Sequence, residues 1–138
     1  MNITYKNFIP VEDYNRLRAA VGWEKLCDEQ ARQGLEHSAW VASCYDADKI
    51  VGIARILWDR GSIAYLADVI VMPEYQGQGI GRMLVEKAMA FIRSQLKDGW
   101  KITVVLLSAK GKEEFYEKFG FRERPNENAG AGMDLWLS

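Results

Sequence analysis

Three glycines in five residues, Gly77, Gly79 and Gly81, lead directly into Arg82, in the run Val69-Ile70-Val71-Met72-Pro73-Glu74-Tyr75-Gln76-Gly77-Gln78-Gly79-Ile80-Gly81-Arg82. Without a Cβ, glycine lets the main chain approach an anion closely and adopt a positive φ. A helix that begins in such a turn presents unpaired N–H groups and the positive end of its dipole. The chemistry this spacing suits is the seating of a phosphate or pyrophosphate, with Arg82 adding a fixed charge beside it. A Walker loop is excluded, because Gly81 is followed by Arg82-Met83 and not by Lys-Ser or Lys-Thr. A dinucleotide fingerprint starting at Gly77 fails too, since its last glycine would fall on Arg82. The pattern that is met is Gln/Arg-x-x-Gly-x-Gly/Ala, through Gln76, Gly79 and Gly81.

Two other residues have side chains that carry protons. Asp68 stands between Ala67 and Val69 in an apolar stretch. Burying a carboxylate there is costly unless it is paired or functional, and Arg55 on the preceding strand is a candidate partner. Tyr116 shares one helix face with Lys112, Phe115 and Phe119. That periodicity alone fits core packing as well as chemistry.

The elements that position these residues follow from hydrophobic period. Residues 2–8 alternate as a strand up to Pro10, and Tyr14, Leu17, Arg18 and Val21 mark a helix stopped by Gly22. A second short helix is predicted over 28–36. Strands over 39–45, 50–58 and 63–72 are joined by hairpin-type turns, Asp46 to Lys49 and Asp59 to Ser62, which predicts an antiparallel meander. After Pro73 the period becomes helical: Ile80, Leu84, Ala88, Phe91 and Ile92 form the apolar face of a helix over 79–97. The apolar run 101–108 reads as a strand covered on both faces. A helix over 111–119 and a last strand over 133–137 complete a single α/β domain, 1–138, on a mixed sheet.

Composition narrows the classes of function. With 18 basic and 19 acidic residues the net charge is −1, and no Lys/Arg cluster offers a nucleic-acid surface. Cys27 and Cys44 with the lone His37 cannot supply four zinc ligands, so no metal is expected and the thiols read as reduced. The first residues mix charge and polarity unlike a signal peptide, and no apolar run approaches the roughly 20 residues of a membrane span. These features predict a cytoplasmic protein without a membrane partner.

The block VIVMPEYQGQGIGR, at 69–82, and FYEKFGF, at 115–121, occur in this order on a strand–loop–helix and on a late helix. In both the chain resembles the GNAT family of acyl-CoA-dependent N-acetyltransferases, strongly over about residues 40–122 and loosely outside them. The resemblance implies a mixed, mostly antiparallel sheet, flanked by helices and splayed between its fourth and fifth strands, with acetyl-CoA as co-substrate in the gap. It further implies transfer of acetyl to a primary amine by direct attack in a ternary complex.

By that resemblance the main chain of Val69, Ile70 and Val71 pairs with the pantetheine amides like an added strand. Gln76, Gly77, Gln78, Gly79, Ile80, Gly81 and Arg82 wrap the pyrophosphate. Tyr116 is the general acid for the leaving thiolate, and a main-chain N–H near Val69 or Ile70, where the family often carries a strand bulge, is the oxyanion donor. Asp68 either takes the proton, attracts the cationic amine or is tied to Arg55; many members lack a dedicated base and pass the proton along water. The family's frequent Asn after the fifth strand is replaced here by Ser108-Ala109-Lys110-Gly111. Acceptor pockets of the family draw on the first helices, the fourth strand and the final hairpin, which points to Trp23, Glu24, Tyr65, Asp68 and the loop Asn126 to Met133. The block Val21-Gly22-Trp23, the strand Asp68 to Val71 and Gly132-Met133 are similar to a branch with plant plastid arylalkylamine (serotonin-type) acetyltransferases and bacterial relatives. That branch implies a small, aromatic amine as acceptor. A protein lysine or N-terminus, and a non-catalytic acyl-CoA-binding module, are the alternatives; dimers are common in the family.

Overall fold

Alternation of apolar residues over the middle of the chain builds three long strands that turn back on one another at tight hairpins. The computed structural model describes residues 1–138. In chain order the elements are β1 (Ile3–Lys6), α1 (Val11–Ala20), α2 (Asp28–Glu36), β2 (Trp40–Asp46), β3 (Lys49–Trp58), β4 (Ile63–Val71), a 3-10 turn (Pro73–Tyr75), α3 (Ile80–Gln95), β5 (Thr103–Val105) and α4 (Glu113–Glu117). The five strands lie in sequence order in one sheet, antiparallel from β1 to β4. β5 joins β4 in parallel, as a crossover through α3 requires.

β5 pairs only with Ile63, Ala64 and Tyr65 at the start of β4. From Leu66 to Val71, β4 keeps β3 as its one neighbour, so the sheet is splayed between its fourth and fifth strands as expected. α3 closes one face of the sheet with Ile80, Leu84, Val85, Ala88, Met89 and Ile92, all buried. Its approach is close at Gly52, where a Cβ would meet Leu84 Cδ1 at 3.1 Å and the Ile70 carbonyl at 3.2 Å. Three residues further along β3, Arg55 faces the opposite side, where α1 sets Tyr14 and Leu17 into the core. No helix is long and apolar enough to cross a membrane.

The chain divides into two compact units, Met1–Val105 and Leu106–Ser138. The second holds α4 and an aromatic group: Phe115 meets Tyr116 and Phe119 edge-on at 5.0 and 5.3 Å between ring centres. Gly111 and Gly120, at φ 87° and 97°, bracket that helix.

Two sequence expectations are corrected here. The fifth strand is three residues long, and Val105 and Leu107 are 37% and 57% exposed, so the run 101–108 is not covered on both faces. Residues 133–137 form no strand, and Met133, Leu135, Trp136 and Leu137 are exposed. An alternating pattern prepares a segment for a sheet but cannot supply the neighbouring strand whose ladder defines it.

Candidate active site

The glycine loop grows out of the end of β4. The 3-10 turn that precedes it is pinned to the β2–β3 hairpin: Tyr75 Oη donates to Asp46 Oδ2 at 2.6 Å, and Lys49 Nζ pairs with Glu74 at 2.9 Å. Gln76 Nε2 donates to the Val71 carbonyl at 3.0 Å, folding the loop back over the strand end. Gly77 and Gly79 take φ values of 80° and 87°, and Gly79 caps α3 without any side-chain hydrogen bond. No protein acceptor receives the main-chain N–H groups from Gly77 to Arg82. A Cβ at Gly77 or Gly79 would meet nothing within 4 Å, so open space lies against that row of donors. Unpaired amides, a helix N-terminus and room for a ligand fit a pyrophosphate. The Ile80 side chain itself is core, 4% exposed, which leaves its main chain to the loop. Arg82 is exposed and pairs with Glu86 at 2.9 Å, one turn along α3.

The upstream part of the site is an irregularity in β4. Ile53 pairs with Ile70, but Arg55 pairs with Ala67, so Asp68 and Val69 together face one residue of β3. This is a β-bulge at the place anticipated for it, and Asp68 takes a positive φ of 53° to form it. The Asp68 carboxylate is well buried and joined to Arg55, as the sequence suggested: Arg55 Nε donates to Oδ2 at 2.5 Å. The same oxygen also accepts from Tyr14 Oη at 2.6 Å. Burial, then the Asp68 charge and hydrogen bond, push the Tyr14 phenol up from its ordinary value. Burial works against the Arg55 cation, but Asp68 and Tyr14 outweigh it and hold the guanidinium charged. Tyr65, half-buried, is likewise raised by burial and by the neighbouring Asp68.

Trp23 is 39% exposed and does not plug the core. Its ring lies 5.3 Å from the Arg18 guanidinium, which also sits 5.8 Å from the Tyr14 ring. Arg18 Nε donates to the Glu24 carbonyl at 2.9 Å. Trp23, Arg18, Tyr14, Asp68 and Arg55 thus form one connected series, of which Tyr14 and Arg18 were read from sequence only as helix-face residues. An arginine at core-facing helical spacing was the one signal that pointed to this series.

In the second unit Tyr116 is half-buried on α4, with its ring against Phe115 and 6.1 Å from the Phe121 ring. Ser108 Oγ donates to the Ala109 carbonyl at 2.8 Å.

Comparison with known proteins accords with this geometry. The family model for the acetyltransferase (GNAT) domain matches residues 36–123. An uncharacterized N-acetyltransferase of Gracilaria tenuistipitata var. liui is 29% identical over 90% of this chain and 68% of its own length. Histone acetyltransferase TAP1 of Glycine max is 33% identical over 85% of this chain, and serotonin N-acetyltransferase 2, chloroplastic, of Oryza sativa subsp. japonica is 32% identical over 90%. The chain spans 54% and 61% of the lengths of these two plant proteins. Among solved structures, a probable acetyltransferase from meticillin-resistant Staphylococcus aureus superposes with a TM-score of 0.87 at 28% identity, covering 98% of this chain and 99% of that one. A GNAT family acetyltransferase from Streptococcus pneumoniae TIGR4 gives 0.78 at 29% identity, covering 99% and 97%. The chain belongs to the GNAT acetyltransferases and is an acyltransferase enzyme.

Proposed function

We propose that this enzyme transfers the acetyl group of acetyl-CoA to the primary amine of a small molecule, by direct attack while both are bound. One observation carries the co-substrate: the unpaired N–H groups from Gly77 to Arg82, set in open space at the N-terminus of α3. Acetyl-CoA supplies a thioester, whose carbonyl an unprotonated amine can attack. The residues Gln76 to Arg82 take its pyrophosphate. The free edge of β4 from Val69 to Val71 takes the amides of the pantetheine arm.

In the transfer a C–N bond forms and the C–S bond breaks. A main-chain N–H at the bulge, from Val69 or Ile70, receives the negative charge that develops on the carbonyl oxygen. The Tyr116 phenol gives its proton to the departing sulfur. The amine's proton leaves along water, and Asp68, with Oδ2 already shared by Tyr14 and Arg55, organises the acceptor side. In sequence, Ser108 or Lys110 takes the place of the family's asparagine as the contact to the CoA chain.

Trp23 and Tyr65 favour an aromatic or alkyl-aromatic amine, in keeping with the name of the rice relative. A second reading, acetylation of a protein lysine, rests on the similarity to the soybean protein named as a histone acetyltransferase. Two unpaired cysteines, Cys27 exposed and Cys44 buried, suit a reducing compartment such as the cytoplasm. The test is thiol release from acetyl-CoA over a panel of arylalkylamines, polyamines and lysine peptides, with calorimetry of CoA binding. Turnover with amines and not with peptides supports the first reading, and the reverse supports the second. Saturable CoA binding with no turnover makes the chain a non-catalytic module, and no binding removes the proposal.

A further inference from the structure

The bulge in β4 is formed by a non-glycine residue at positive φ. A non-glycine residue at φ 53° carries backbone strain that the surroundings must hold in place. Asp68 is held through one atom. Its Oδ2 accepts from Tyr14 Oη on α1 and from Arg55 Nε on β3, at 2.6 and 2.5 Å. Arg55 then reaches the end of α2, where Nη1 donates to Ser38 Oγ at 3.0 Å and to the Gly34 carbonyl at 3.3 Å. Ser38 Oγ closes the arrangement by donating to Gly34 O at 2.8 Å. Asp68 and Arg55 are 12% and 14% exposed and Tyr14 is 2% exposed, so solvent does little to weaken these bonds.

We propose that Asp68 is a positioning residue, a latch by which Tyr14 and Arg55 hold the β4 bulge and tie it to the acceptor-side helices α1 and α2. The inference rests on acetyl transfer at β4. It adds that the carboxylate serves as a shaped acceptor and not as the base. A bulge leaves its extra residue outside the ladder, so its main-chain groups are available to a substrate only while the bulge keeps its register. Without the latch, the Asp68 backbone relaxes toward a negative φ and the N–H groups of Val69 and Ile70 move with it. Displacing a preorganised donor by about 1 Å costs on the order of 100-fold in rate. Because both bonds end on one oxygen, an amide in place of the carboxylate preserves the latch and abolishes proton acceptance.

The experiment is steady-state thiol release by the whole chain, with melting temperature and CoA affinity measured on every variant. If the unsubstituted enzyme releases no thiol, the functional reading fails; the latch is judged on an active enzyme. Asp68→Ala is expected to lower kcat about 100-fold while the KM for acetyl-CoA changes less than about threefold. Asp68→Asn is expected to recover at least about tenfold of that loss and to keep the pH profile of kcat/KM. Tyr14→Phe, which leaves the ion pair and is the milder change should Asp68→Ala fold poorly, is expected to lower kcat about tenfold. Asp68→Gly, which accepts a positive φ without strain but supplies no latch, is expected to fall between Asp68→Ala and the unsubstituted enzyme. The latch is overturned by Asp68→Asn as slow as Asp68→Ala with the acidic limb of the profile gone, which would make the carboxylate the base. It is equally overturned if Asp68→Gly or Tyr14→Phe keeps full kcat, or if Asp68→Ala lowers only the melting temperature.

Discussion

The proposed role of Tyr116, as proton donor to the departing thiolate, is interrogated by removing one oxygen atom. Tyr116→Phe keeps the edge-on ring contact with Phe115. Its expected effect is a fall in kcat of about 100-fold or more, the usual size for general acid catalysis, with CoA affinity unchanged by calorimetry. Unchanged turnover would return Tyr116 to the role of packing, which its position between two phenylalanines also satisfies. At this scale the sequence was legible where a residue type conflicts with its surroundings. A carboxylate inside an apolar strand marked Asp68, and the cation on the neighbouring strand marked Arg55. Tyr14 escaped notice because a tyrosine among leucine and valine at helical spacing conflicts with nothing, and its bond to Asp68 spans 54 positions of chain.

Elements obey their own constraints, and two glycines show different ones. Gly79 is bound by conformation: at φ 87° with nothing within 4 Å of a would-be Cβ, alanine costs only backbone energy, about 1–2 kcal/mol. Where that strain is met by reshaping the loop, CoA affinity by calorimetry should drop about tenfold, since about 1.4 kcal/mol is a factor of ten. Gly52 is bound by space, with Leu84 Cδ1, Ile70 O and Ile80 Cγ2 all within 3.3 Å of the site a methyl would fill. Gly52→Ala should therefore destabilise the fold by about 1–3 kcal/mol in urea unfolding and leave CoA affinity per folded molecule unchanged. The middle elements were readable almost to the residue, because Gly22, Pro73 and the hairpin turns punctuate a clean change of period. The expected last strand does not form: Met133, Leu135 and Leu137 alternate as a strand would and still lie exposed. Period reports what a segment can bury, whereas pairing depends on a partner that no local pattern contains.

At the scale of the molecule, the tyrosines set a limit at high pH. Burial first, with the Cys44 thiol adding to it, pushes Tyr5 up to about 12. Burial and the hydrogen bond to Asp13 do the same for Tyr45, also to about 12. In the unfolded chain such phenols ionise near 10.0, so above that pH the folded state binds the more protons. Their contribution to stability is complete below pH 10 and lost as pH rises toward 12. Urea midpoints should fall across that interval, with phenolate absorbance rising together with unfolding and not before it. A flat midpoint there would contradict the raised pKa of the partly buried Tyr5 and the buried Tyr45.

The short union of β4 with β5 also bears on how the enzyme survives heat. From Leu66 onward one margin of β4 carries main-chain donors and acceptors with no strand beside them. Such a margin is indifferent to what it pairs with, and on warming a neighbouring molecule's backbone competes for it. A pantetheine arm lying along the same margin would act as a chaperone as well as a co-substrate. Turbidity on heating should therefore develop later with saturating CoA than with an equal concentration of adenosine diphosphate, which can fill the glycine loop and leaves the strand bare.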